Sequence, residues 1–262
     1  MLRCVSRVLA PGLLVLLALA APALGGERRG AAGLDGVGRL VCAAPGGRAR
    51  VEDGSGWVVG SADTVVTAAH ILFPAGGAAD PPSCTFRLYA PDGTVRAVAR
   101  VRYVRSPWSD PAGRNDSSQD VAVLKLDRPM PVEPLPLAVR GHAPGAQPVR
   151  LLSFPGGGGD APSQAAGEAR AFPLGPVRDA GSGMRVSDPG RLFASSAASA
   201  PGSSGGVYLA SQGGGVIGIH VGRLCDAAEC FGFGLRFDRA IAAMVAAVAL
   251  DDGAMPVRLA SR

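Results

Sequence analysis

"SAPGSSGGVYL", residues 199–209, holds three serines, three glycines and a proline within its first eight positions. The plainest reading of such a run is a flexible connection, since Gly/Ser-rich stretches are mostly linkers. The other reading is the loop of a nucleophile, and then the question is which serine. A nucleophilic serine needs a base, a carboxylate that holds the base in one tautomer, and donors for an oxyanion. The chain has three histidines: His70, His142 and His220. His70 closes "TVVTAAH", a β-branched run ending in small residues, so a strand delivers it at its end. His142 sits in "RGHAPG" and reads as a solvated loop histidine. Asp120 opens the apolar run "DVAVLKL", whereas Asp116 precedes polar "SSQ" and reads as a loop residue.

The chain is 262 residues long, 47% hydrophobic and 18% charged, which suits a globular protein of one large or two small domains. Its 38 glycines and 22 prolines imply many turns and favour an all-β protein over a helical one. "GWVV" and "TVVT" read as short strands, and "TFRLYA" and "TVRAVARVRYV" flank "PDG", a hairpin turn. In the last run Val95, Ala97, Ala99, Val101 and Tyr103 alternate mostly with arginines, predicting one buried and one wet face. "VAVLKL" is another strand. The proline-rich "DRPMPVEPLPLAVRGHAPG" then divides the chain into two halves. Strand-like runs resume with "VRLLSF", "EARAF", "MRV", "GGVYL", "GVIGIHV" and "FGFGL". The "GGGG" at 156–159 lacks a following Gly-Lys-Ser/Thr and reads as a loop, not a phosphate cradle. Near the end, Ile241, Met244, Val245 and Val248 fall at helical spacing, with Asp238 as N-cap and Gly253 past the helix.

A formal net charge of +5 includes Arg3 and Arg7 of the N-terminal segment, and the rest is spread without a Lys/Arg run. The Arg/Ala/Gly bias reads as coding bias, and no nucleic-acid partner is expected. "MLRCVSR", the apolar "VLAPGLLVLLALAA" and the small residues of "APALG" read as a signal peptide over 1–25. Its apolar run is slightly short for a spanning helix. Residues 26–34 read as a short propeptide with an Arg-Arg site or as a disordered N-terminus. The expected location is therefore secreted or periplasmic, without stable membrane association once the signal is cleaved. Four cysteines remain, Cys42, Cys84, Cys225 and Cys230, and in an exported chain they suggest two disulfides with three pairings open. The short spacing favours Cys225–Cys230, which leaves Cys42–Cys84. With no CxxC pair and scattered histidines, neither zinc nor any other metal or cofactor is expected.

"GSGWVVGSADTVVTAAH", "QDVAVLKLDRP" and "APGSSGGVYL…GVIGIHVG", in that order, resemble the trypsin-like (chymotrypsin-fold) serine proteases over about residues 35–248. The bacterial, glutamyl-endopeptidase-like branch is the nearest in pattern. The chain order His, Asp, Ser is this family's and differs from other triad folds. The resemblance implies an all-β fold of two six-stranded antiparallel β-barrels with a C-terminal α-helix. The first barrel would span 35–135 and the connector 136–147. The second barrel and helix would span 148–250, and a tail 251–262. It implies an endopeptidase acting through an acyl-enzyme on protein or peptide substrates, as a monomer. His70 would be the general base, Asp120 its orienting carboxylate and Ser204 the nucleophile. Ser203 would fill the X of Gly-X-Ser-Gly-Gly, and the N–H groups of Gly202 and Ser204 the oxyanion hole.

The departures from the family carry information. In vertebrate-type members X is Asp, which pairs with a freed N-terminus; Ser203 removes that switch. The cysteine after the histidine is missing, because "HILF" stands there. Cleavage after Arg or Lys needs an Asp where Ala198 stands. Glutamate-specific relatives resemble the chain at Ser199 and at His220 of "GIHVG", with Arg223 near enough to add charge, so these two residues are expected to bind an acidic P1 side chain. The alternative is a pocket without that preference, which would take small or apolar side chains. The competing class is a catalytically silent chymotrypsin-like binding protein, against which the intact His70, Asp120 and Ser204 argue. An esterase of the α/β-hydrolase fold would have another triad order.

Overall fold

The computed structural model describes residues 35–43, 51–73, 83–110, 115–136, 146–156, 161–173, 185–212, 215–225 and 230–251. The signal peptide, the 26–34 segment, His142 and Gly253 lie outside the described residues, as does most of the proline-rich connector. Twelve strands form two closed antiparallel barrels. The first contains β1 (Val37–Ala43), β2 (Val51–Val58), β3 (Thr64–Thr67), β4 (Cys84–Tyr89), β5 (Val95–Arg105) and β6 (Ala122–Leu126), in the order β1-β2-β3-β6-β5-β4. The second contains β7 (Gln147–Ser153), β8 (Ser163–Ala171), β9 (Leu192–Ser195), β10 (Val207–Ala210), β11 (Val216–Cys225) and β12 (Cys230–Arg236), in the order β10-β11-β12-β9-β8-β7. Helix α1 (Arg239–Ala249) follows. Closure removes the free strand edges that would otherwise template aggregation.

β3 and β6 owe their place at the centre of the first barrel to composition. Thr64–Thr67 is β-branched throughout and buried on both faces; Ala122–Leu126 is likewise buried on both faces and pairs with it from Thr64↔Lys125 to Thr67↔Ala122. Lys125, the chain's one lysine, is 5% exposed and is neutralised by Asp63 at 2.9 Å. The alternation expected in β5 holds for Ala99 and Val101, but Val95 is 50% exposed. Bulges opposite Tyr89 and between Val101 and Tyr103 shift the register, and Val95 is thereby carried off the core face. The hairpin at "PDG" forms, closed by Ala90 N–H donating to Thr94 O. Of "MRV", Met184 lies outside the described residues; Arg185 forms an isolated bridge to Asp116, and Val186 belongs to no strand.

One apolar cluster joins the barrels to the helix. Trp57, Val66 and Val123 of the first barrel pack with Leu152, Phe233 and Leu235 of the second, and with Ile241, Val245 and Val248 of α1. Burying each of the three helix side chains is worth about 1.5–3 kcal/mol. The helix starts where Asp238 accepts a hydrogen bond from Ile241 N–H at 2.9 Å, and Arg191 pairs with the same carboxylate. Disulfides Cys42–Cys84 and Cys225–Cys230 staple directly opposed residues of β1/β4 and β11/β12. Among the described residues no helix is long and apolar enough to cross a membrane.

Candidate active site

His70 lies in a single 3₁₀ turn, Ala69–Ile71, reached from the end of β3. Asp120 ends the turn Ser117–Gln119 just before β6. Because β3 and β6 pair, the two strand ends fall side by side. His70 Nδ1 meets Asp120 Oδ2 at 2.7 Å, and the His70 backbone N–H donates to Oδ1 at 2.9 Å. Asp120 is fully buried while the His70 side chain keeps 32% of its surface open. One edge of the imidazole is thus fixed by a carboxylate and the other is accessible.

Asp116, four residues earlier, is not a plain loop residue. It is 1% exposed and accepts hydrogen bonds from Ser118 N–H and Oγ and from Ser187 N–H and Oγ. Burial alone would raise its carboxyl, but those bonds outweigh burial and hold it below the usual range. Asp116 therefore ties the first barrel to the 185–188 segment of the second and anchors the turn that ends at Asp120.

The serine loop distinguishes its two neighbouring hydroxyls. Ser203 is 1% exposed, and its Oγ accepts from Ala200 N–H and from Ser153 Oγ, both at 3.2 Å. Ser204 is half-buried, lines an open cavity, and donates weakly from Oγ to Val221 O at 3.3 Å. Its carbonyl accepts from Ser55 N–H of β2 at 2.7 Å. Gly205 has φ +82°, and a Cβ there would stand 2.0 Å from Ser55 O and 2.4 Å from Thr67 Oγ1. Only glycine allows the serine loop to press against β2 and the end of β3, the strand that leads to His70.

Pro201 O accepts from Gly156 N–H at 2.6 Å. In a trans amide the carbonyl and N–H point opposite ways, so the Gly202 N–H faces away from Gly156. Neither Gly202 N–H nor Ser204 N–H has a hydrogen-bond acceptor among the described residues. Ser55, which sequence reasoning missed, locks this arrangement: its Oγ donates to Gly202 O and accepts from Phe154 N–H, both at 2.7 Å.

Beside Ser204 is a cavity of about 340 Å³ lined by Ser199, Pro201, His220, Gly222 and Arg223. The three residues singled out for specificity thus share one pocket. His220 is 2% exposed, and burial, helped by the nearby charge of His70, pushes its pKa from 6.5 down to about 3. It is a neutral imidazole at physiological pH. Its Nδ1 lies 2.8 Å from Tyr208 Oη, a contact the sequence did not announce.

Two closed β-barrels with a histidine–carboxylate pair on one and a glycine-flanked serine on the other define a serine-peptidase architecture. The chain belongs to the trypsin-like peptidase family: the family description "Trypsin-like peptidase domain" matches residues 54–219. Among solved structures it is similar to the Rv3671c protease of M. tuberculosis in its active form. That likeness has 27% identity, covers 97% of this chain and 98% of that one, and has a TM-score of 0.61. A thermostable serine protease, AL20, from an extremophilic microorganism shares 18% identity over 82% of this chain and 97% of that one, with a TM-score of 0.63. The protease Anisep of Arthrobacter nicotinovorans shares 18% over 83% and 97%, with a TM-score of 0.62. The comparison with curated proteins found no match. The protein is accordingly a hydrolase of the serine-peptidase kind, and its substrates are peptides.

Proposed function

We propose that the chain is an exported serine endopeptidase in which Ser204, His70 and Asp120 form the catalytic triad. The observation that carries this reading is the doubly hydrogen-bonded His70–Asp120 pair, set against a loop that turns Ser203 inward and leaves Ser204 at the cavity. The Ser204 hydroxyl, leaving its weak bond to Val221 O, gives its proton to His70 Nε2 as Oγ attacks the substrate carbonyl. Asp120 keeps the Nδ1–H tautomer and stabilises the imidazolium that forms. The N–H groups of Gly202 and Ser204 receive the oxyanion. His70 then protonates the leaving amine and activates the water that hydrolyses the acyl-enzyme. Export is supported by the two disulfides, which persist in oxidising compartments.

The pocket next to Ser204 selects an acidic P1 side chain in this reading. Ser199 offers a hydroxyl, His220 a neutral imidazole N–H, and exposed Arg223 a positive charge at the mouth. One charge-assisted bond more for Glu than for Gln gives a kcat/KM ratio on the order of ten to a hundred. Two peptides differing only at P1 measure it, and His220→Ala should bring the pair close to parity. Ser204→Ala should lower amidase activity on any peptide by about 10⁴-fold or more. A variant that keeps wild-type turnover would refute the triad; equal cleavage of the two peptides by the unmutated protein would refute the acidic pocket alone.

A further inference from the structure

Tyr208 lies on β10 with no exposed surface, yet it carries a hydroxyl that must find partners. Its partner is His220 Nδ1 at 2.8 Å, across the β10/β11 ladder in which Tyr208 faces Gly218. The pair is tightly enclosed: a Cβ placed on Gly232 would lie 3.4 Å from His220 Cε1, 3.4 Å from Tyr208 Oη and 3.4 Å from the backbone carbonyl oxygen of Ser195.

The phenol proton fixes the direction of this bond. Tyr208 is fully buried, and His220 Nδ1 is the acceptor its hydroxyl reaches at hydrogen-bond distance among the described residues. Were Nδ1 to carry the proton and donate to Oη instead, the phenol proton would be stranded in the core. With Tyr208 donating, the neutral ring carries its proton on Nε2.

We infer that Tyr208 is a positioning residue for specificity: its hydroxyl holds His220 in the Nε2–H tautomer, so that the pocket beside Ser204 offers the substrate side chain a donor. The inference rests on the acidic-P1 reading for its consequence, though not for its geometry. A hydroxyl donor behind the imidazole also polarises it, strengthening the N–H that meets a carboxylate. Tyr208 is fully buried and acts through His220.

The test uses the full chain with ¹⁵N-labelled histidine, the His220 signals being those lost in His220→Gln. Long-range ¹H–¹⁵N spectra at neutral pH should show Nδ1 bare and Nε2 protonated. Tyr208→Phe keeps the ring against Phe193 and His220 and removes only the hydroxyl. It should give mixed tautomers and lower the Glu-to-Gln ratio of kcat/KM by roughly three- to ten-fold, mostly through KM for the Glu peptide. A wild-type ring protonated on Nδ1 overturns the inference without any variant. So does a folded Tyr208→Phe protein that keeps both tautomer and ratio. If the wild type cleaves Glu and Gln peptides equally, the acidic pocket fails, and the wild-type spectrum still decides the tautomer.

Discussion

The two barrels hold their histidines in opposite ways. In the first, His70 is one-third open to solvent and leans on a buried carboxylate, an arrangement that favours a positively charged ring. In the second, burial keeps the His220 ring neutral, and a phenol hydroxyl on Nδ1 aims its one proton outward. The residue type is the same. The partner on Nδ1 and the access of water decide whether an imidazole transfers protons or only displays one.

The sharpest way to break this contrast is to take the charge from behind His70. Asp120→Asn preserves the shape of the side chain but presents an amide that favours the wrong tautomer. It should lower kcat by about 10⁴-fold with little change in KM. A loss below about ten-fold would mean that His70 does not rely on Asp120 at all.

The barrels also differ in their staples. Cys42–Cys84 closes a separation of 42 residues and Cys225–Cys230 one of 5. On the chain-entropy model these contribute about 4 and about 2 kcal/mol. Thiol titration of the denatured, unreduced mature chain should find no free thiol. Replacing Cys42 and Cys84 together by alanine should cost more in a denaturant melt than replacing the other pair.

A smaller effect appears in acid. The His220 pKa is about 3 in the fold against an ordinary 6.5, so below pH 6.5 the unfolded chain binds a proton that the native chain does not. The stability conferred by keeping His220 neutral is fully present above pH 6.5 and is lost as the pH falls toward 3. At pH 4 the loss is about 3 kcal/mol. His220→Gln should therefore lose less stability between pH 7 and pH 4 than the unmutated protein, as thermal melts at the two pH values would show. Equal losses would mean that His220 protonates freely in the fold.

The parts of the molecule that the sequence disclosed are those with local signals. β3, β6 and α1 announce themselves by β-branched runs, helical spacing and an N-cap, and the strand ends mark His70 and Asp120. β1 and β9 went unread: β1 mixes Arg39 and Cys42 among its apolar residues, and β9 is four residues long and buried throughout, without alternation. Ser55 was invisible for another reason. It is a small residue in a glycine-rich strand, and its partners Gly202 and Phe154 lie 147 and 99 residues away. Tyr208 likewise reads as an ordinary core aromatic until the bulged register of β10 and β11 is known. Roles that depend on register, not on spacing, leave no trace in a single sequence.

The most direct test of the account is chemical labelling of the nucleophile. A fluorophosphonate added to the intact chain should form one adduct, located by mass spectrometry on Ser204, the serine beside the cavity. Ser203→Ala should label at a similar rate, because Ser203 is turned into the barrel. Ser204→Ala should not label. An adduct on Ser203, or undiminished labelling of Ser204→Ala, would contradict the account.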